Sequence, residues 1–137
     1  MAGSLITKDF VVTTSRRSEF VDITSEVEKI VSSEKIKDGI CVVYVPHTTA
    51  CVCINENADP SVKSDIVSAL EKLIPKSGPY EHAEGNSDAH IKASIIGSSR
   101  IVLVESGSLL LGTWQGIYFC EFDGPRKRKV IIKVIGT

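Results

Sequence analysis

The chain has 137 residues, 42% of them hydrophobic and 24% charged, enough for one domain spanning residues 1–137 to bury a core. A formal net charge of −1 supplies no chain-wide field to draw nucleic acid or an acidic membrane surface. No apolar run approaches the roughly 18–20 residues of a membrane span. MAGSLITKDFVV lacks the charged leader and long apolar stretch of a signal peptide, so a soluble, cytoplasmic protein is expected.

SLITKDFVVTT has strand composition, TTSRRS reads as a turn and EFVDI as a second strand. Thr24 or Ser25 then caps a helix to about Ile36, with Val27, Ile30 and Val31 at helical spacing, and Lys37-Asp38-Gly39 ends it. GICVVYVP and ACVCIN are apolar strands. Asp59 at N-cap and Pro60 at N1 open a second helix, with an apolar stripe of Val62, Ile66, Ala69, Leu70 and Leu73, and Pro75 stops it. A shorter helix over AHIKASIIG takes its cap from Ser87 or Asp88 and closes at Gly97. RIVLVESG, SLLLG, GIYFCEF and RKVIIKVIG complete the chain as strands. This order lacks the regular alternation of a doubly wound sheet. It predicts an α+β fold, a layered sandwich with a largely antiparallel sheet and about three helices.

Cys41, Cys51, Cys53 and Cys120 all lie in apolar, strand-like stretches, so reduced, buried thiols are expected. Cys51-Val52-Cys53 is C-x-C with no second pair at zinc-finger spacing, which argues against a cysteine-only metal site. Phosphate-loop and dinucleotide glycine motifs are absent. His82-Ala83-Glu84 lacks the downstream P-C-x-x-C that a zinc deaminase needs.

The three histidines sit in polar sequence at the ends of apolar elements, in VYVPHTTA, YEHAEG and SDAHIK. Loops at element ends are where sites are built on a rigid scaffold. Three neutral imidazoles with an open fourth position form a catalytic zinc-type site; three solvated turn residues are the alternative. Gly85-Asn86 permits a turn between His82 and His90. Glu56 is either a carboxylate orienting an imidazole or a solvated loop acid. In EFDGPRKRK, Glu121 reads as an acid or base and Arg126 as a fork for phosphate or carboxylate, or the whole stretch as a strand ending in a turn.

PHTTA, INENADP, YEHAEGNSDAHIKASIIG and LLLGTWQGIYFCEFDGPRKRKV, in that order, resemble the YjbQ family, also described as secondary thiamine-phosphate synthases. The cysteines of CVCIN and the one before Glu121 depart from it at apolar positions. The resemblance implies a layered α+β fold, a homotrimer and a histidine-lined site near subunit interfaces. It implies His47, His82 and His90 as the metal-ligand or catalytic set, with Glu121 and Arg126 in the same region. It also implies weak thiamine phosphate synthase activity on small phosphorylated substrates, a pyrimidine diphosphate and a thiazole phosphate. Histidine ligands favour a zinc-like divalent ion, whereas a diphosphate substrate suits magnesium. A metal-dependent hydrolase of a phosphorylated metabolite and a non-catalytic trimeric metal- or metabolite-binding protein are the alternatives.

Overall fold

The computed structural model describes residues 3–137. The element order is β1 (Ser4–Thr13), β2 (Glu19–Asp22), α1 (Thr24–Ser33), β3 (Gly39–Tyr44), β4 (Ala50–Glu56), α2 (Pro60–Leu73), α3 (Ser87–Ile96), β5 (Ser99–Glu105), β6 (Ser108–Leu109), β7 (Gln115–Glu121) and β8 (Lys127–Gly136). The strands form a five-stranded sheet, β1-β8-β3-β5-β6, and a three-stranded sheet, β2-β7-β4. Every pairing among the described residues is antiparallel, as expected of the α+β class.

Period-2 alternation explains the layers. Val130, Ile132 and Val134 of β8, with Val102 and Val104 of β5, point inward against Ile117 and Phe119 of β7. Val27 and Val31 of α1 seal the same core. The alternate residues of β7, Tyr118 and Cys120, face the other way into a second core with Phe20, Phe122, Ala89 and Ala93. The small sheet is thus covered on both faces, which is why GIYFCEF is almost continuously apolar. The large sheet is covered on one face only. Among the described residues no helix is long and apolar enough to cross a membrane.

Three local expectations are revised. The α1 N-cap is Ile23, with no side-chain cap, rather than Thr24 or Ser25. Asp22 Oδ1 instead accepts from the Thr24 backbone N–H at 2.9 Å and its hydroxyl at 2.6 Å, so an acid two residues upstream satisfies the helix start. α1 stops at Ser33 because Lys35 adopts φ 57°, which turns Ile36 into the core. For α3, Asn86 holds the N-cap position in place of Ser87 or Asp88 and makes no side-chain cap bond, while the Asp88 carboxylate is engaged by Arg17 and Lys92. Gly97, at φ 99°, closes α3 as expected.

α2 begins with Asp59 accepting from the Ser61 N–H at 2.9 Å and with Pro60 in the first turn. Its seam is narrower than the sequence stripe suggests. Ile66, Val67 and Leu70 meet the second core, while Ala69 and Leu73 are exposed. The helix lies on the outside of the small sheet, so one row of side chains suffices to anchor it.

Candidate functional site

His47 follows β3 in the turn that leads into β4. Its Nε2 accepts the Lys129 backbone N–H at 2.8 Å. That bond requires a lone pair on Nε2, which leaves the ring proton on Nδ1. Burial pushes the imidazole pKa below the usual histidine value, and the nearby Arg128 charge pushes it the same way. A neutral ring keeps the Lys129 bond. Protonating Nε2 would set a donor against a donor.

His47 therefore contributes stability that is fully present above about pH 6.5, the ordinary histidine value, and is lost as pH falls through its lowered folded pKa. Urea midpoints at pH 7.5 and 5.5 should differ less in His47→Gln than in the parent; an equal difference would show that His47 is not responsible.

His90 sits one turn into α3 and faces His47 across a cleft of about 340 Å³, walled also by Thr48, Ala50, Ala93 and Ser94. On its other side, His90 meets His82 with ring centroids 5.4 Å apart and planes at 87°. The link is the expected turn at Gly85, where φ is +79°. His90 is thus the common wall of two depressions, one shared with His47 and one with His82, Tyr80 and Ile91.

Two imidazoles on one tetrahedral ion place their ring centres roughly 5 Å apart. The His82–His90 centroid separation is close to that value. His47 does not complete such a site within one chain, because Lys129 occupies its Nε2 and, among the described residues, no three His, Cys, Asp or Glu side chains gather around a metal-sized space.

Glu121 is fully buried beside this turn. Its Oε1 accepts from Arg128 Nε at 2.9 Å and from the Thr14 hydroxyl at 2.8 Å. Its Oε2 accepts from Arg128 Nη2 and from the Asp123 N–H. Burial raises the carboxyl pKa, but hydrogen bonds from Arg128 and Thr14 outweigh it and leave the value lowered. Arg128 Nη2 also donates to Thr49 Oγ1 at 2.9 Å. Glu121 therefore fixes Arg128, and Arg128 fixes the turn that carries His47.

Arg126 points elsewhere. Its Nε donates to the Asp123 carbonyl and its Nη2 to Asp123 Oδ2, both at 2.9 Å, and its side chain is half exposed. Asp123 Oδ2 also accepts from Asn86 Nδ2 at 2.9 Å, which ties EFDGPR to the start of α3. Asn86 Oδ1 is buried and meets no donor among the described residues.

Glu56 is at the opposite end of β4 from His47, about 20 Å of strand away, so it does not orient that imidazole.

Two sets of residues escaped the sequence reading. Arg128 was hidden in RKRK, although it shares strand parity with Val130, Ile132 and Val134. Asp88 accepts Arg17 through both oxygens at 2.9 and 3.0 Å and Lys92 Nζ at 3.0 Å, with Lys92 and the Asp88 side chain fully buried. Burial raises the Asp88 pKa, yet the Arg17 and Lys92 hydrogen bonds dominate together and bring it to about 2. This ion cluster clamps the first two turns of α3, and so His90, onto the loop between β1 and β2. The i,i+4 spacing of Asp88 and Lys92 was its one visible sign.

A family model described as "UPF0047 protein YjbQ-like" matches residues 8–137. A UPF0047 protein of Methanocaldococcus jannaschii is 56% identical over 93% of this chain and 92% of its own length. The UPF0047 protein YugU of Bacillus subtilis is 49% identical over 94% and 98%. Among solved structures, a YjbQ/UPF0047-family protein of Clostridium acetobutylicum aligns with a TM-score of 0.91 at 55% identity, covering 93% of this chain and 98% of that one. A YbjQ-like protein of Sulfolobus solfataricus gives 0.96 at 35% identity, covering 99% and 100%. With the family model spanning nearly the whole chain and relatives this similar over their full length, the chain belongs to the YjbQ-like UPF0047 family.

Proposed function

We propose that the cleft between His47 and His90 binds a small phosphorylated metabolite and that the protein is a transferase of the thiamine-phosphate-synthase type, with modest turnover. The observation that carries this reading is the pair of imidazoles, from different elements, on one cleft. In the reaction, the thiazole ring nitrogen forms a bond to the methylene carbon of the pyrimidine diphosphate. The carbon–oxygen bond breaks and diphosphate leaves.

His90 is placed to hand a proton to the departing oxygen. His47, held neutral, orients the substrate through Nδ1–H. Arg126, half exposed and paired with Asp123, would have to leave that pair before its planar fork, which lysine lacks, could take phosphate oxygens. Alternatively, a divalent ion held by His82 and His90 would neutralise diphosphate charge when bound, in place of the proton from His90.

A homotrimer belongs to the same reading. The uncovered face of the large sheet carries Leu5, Tyr44, Ile101, Leu103 and Ile135, all exposed. Register places Leu5, Ile135, Ile40 and Leu103 in one row across four strands. A contiguous apolar face of this kind marks an association surface, and closed cyclic symmetry covers it without leaving a free copy. His47 is bonded to β8 of that sheet, so in such a trimer the cleft would lie beside the join. Leu103→Glu should give monomer in sedimentation velocity where the parent gives trimer; a monomeric parent would remove this part.

The activity is tested by supplying the purified protein with both precursors, metal-loaded and metal-stripped. Thiamine phosphate and diphosphate in equal amounts support the transferase. Phosphate release from simple esters would move the reading to a hydrolase, and tight binding without turnover to a binding protein.

A further inference from the structure

β4 and β7 run antiparallel with Cys51 opposite Cys120 and Cys53 opposite Tyr118. Across the diagonal, Cys120 Sγ lies 3.5 Å from Cys53 Sγ and donates its proton toward it. The two sulfurs are in contact, but their surroundings differ. Cys120 is fully buried in the second core, whereas Cys53 is half-buried and reaches solvent. This is the arrangement of an attacking thiol with a second thiol waiting behind it.

We propose that Cys53 is a peroxide-reactive modification site and that Cys120 is its resolving thiol. The Cys53 thiolate attacks one peroxide oxygen. The O–O bond breaks, the other oxygen leaves as water or alcohol, and the sulfur is oxidised to sulfenic acid. Cys120 Sγ then attacks that sulfur. Its S–O bond breaks, and the hydroxyl departs as water with the Cys120 proton. One dithiol and one peroxide become one disulfide, one alcohol or water, and one further water.

The electrostatics support the same order. The hydrogen bond from Cys120 lowers the Cys53 pKa, burial partly opposes it, and the Arg100 charge adds to the lowering. Burial pushes Cys120 well up, so it stays a thiol until the sulfenic acid forms. Cys41, pushed by burial to about 12 and remote from this cluster, is an internal control. A diagonal pair has its Cα atoms farther apart than a directly opposed pair, so the bridge would be strained and readily reduced. That suits a reversible site whose resting state is the free thiol. It is independent of the histidine cleft and stands whatever that cleft binds.

The test is hydrogen peroxide added in slight excess to the native full chain, followed by denaturing alkylation and non-reducing peptide mass spectrometry. The expected result is a Cys53–Cys120 linked peptide lighter by two hydrogens, reversed by dithiothreitol. Cys53 should be consumed at least about tenfold faster than Cys41. Cys51→Ser should keep the link and Cys53→Ser should lose it, with unchanged circular dichroism in both. Oxidation of Cys53 no faster than Cys41, sulfinic acid without a link, or a Cys51–Cys120 bridge forming equally well in Cys53→Ser would each overturn the proposal.

Discussion

Glu121→Ala should destabilise the protein by about 3–5 kcal/mol, the cost of leaving a buried charge without its partner. Arg128 is 4% exposed and spends two donors on this carboxylate, so nothing else can neutralise it. The loss should be read from urea unfolding with an unchanged slope. Replacing both partners with apolar residues of similar volume, Glu121→Leu with Arg128→Met, should cost much less than the single change, because the desolvation of both charges is removed together. A single-variant loss under about 1 kcal/mol would mean that water reaches Arg128. The same variant should also loosen the turn of His47, since Arg128 holds Thr49.

His90→Ala is expected to lower turnover of phosphorylated precursors by about 100-fold or more while the fold and the melting temperature hold. The magnitude is that of a lost proton donor. The fold survives because His90 is only half-buried and because Ser87, Asp88 and Lys92 carry the anchoring of α3. The substitution also favours helix locally. Since His90 walls both depressions, it should hurt more than His82→Ala, which touches one. Equal rates in the parent and His90→Ala would remove the proton-transfer role.

Some local chemistry was legible in the sequence, although the caps of α1 and α3 were not. Asp59-Pro60 announced the start of α2, Gly97 the end of α3, and GIYFCEF a strand. What the sequence hid depended on which way a strand faced. RKRK looks uniformly polar, yet only Arg128 has the parity of the core-facing residues of β8. Glu121 then becomes its buried counter-ion, a role invisible without knowing that β7 and β8 belong to facing sheets. The histidines show the same limit. YEHAEGNSDAH suggested that His82 and His90 meet because a single turn separates them. The approach of His47 to His90 joins residues 43 positions apart and follows from Val52 and Gly97 pairing at 3.3 Å, a contact no local pattern announces.

With only three histidines, the imidazole region of a proton NMR spectrum holds one resolvable ring per residue, assignable by His47→Gln, His82→Gln and His90→Gln. Titrating the parent with the thiazole phosphate reports directly on the cleft. Saturable shifts of His47 and His90 with one common dissociation constant are the predicted result. A titration that leaves both rings unmoved while the precursor is bound or turned over would contradict the assignment of this cleft as the functional site.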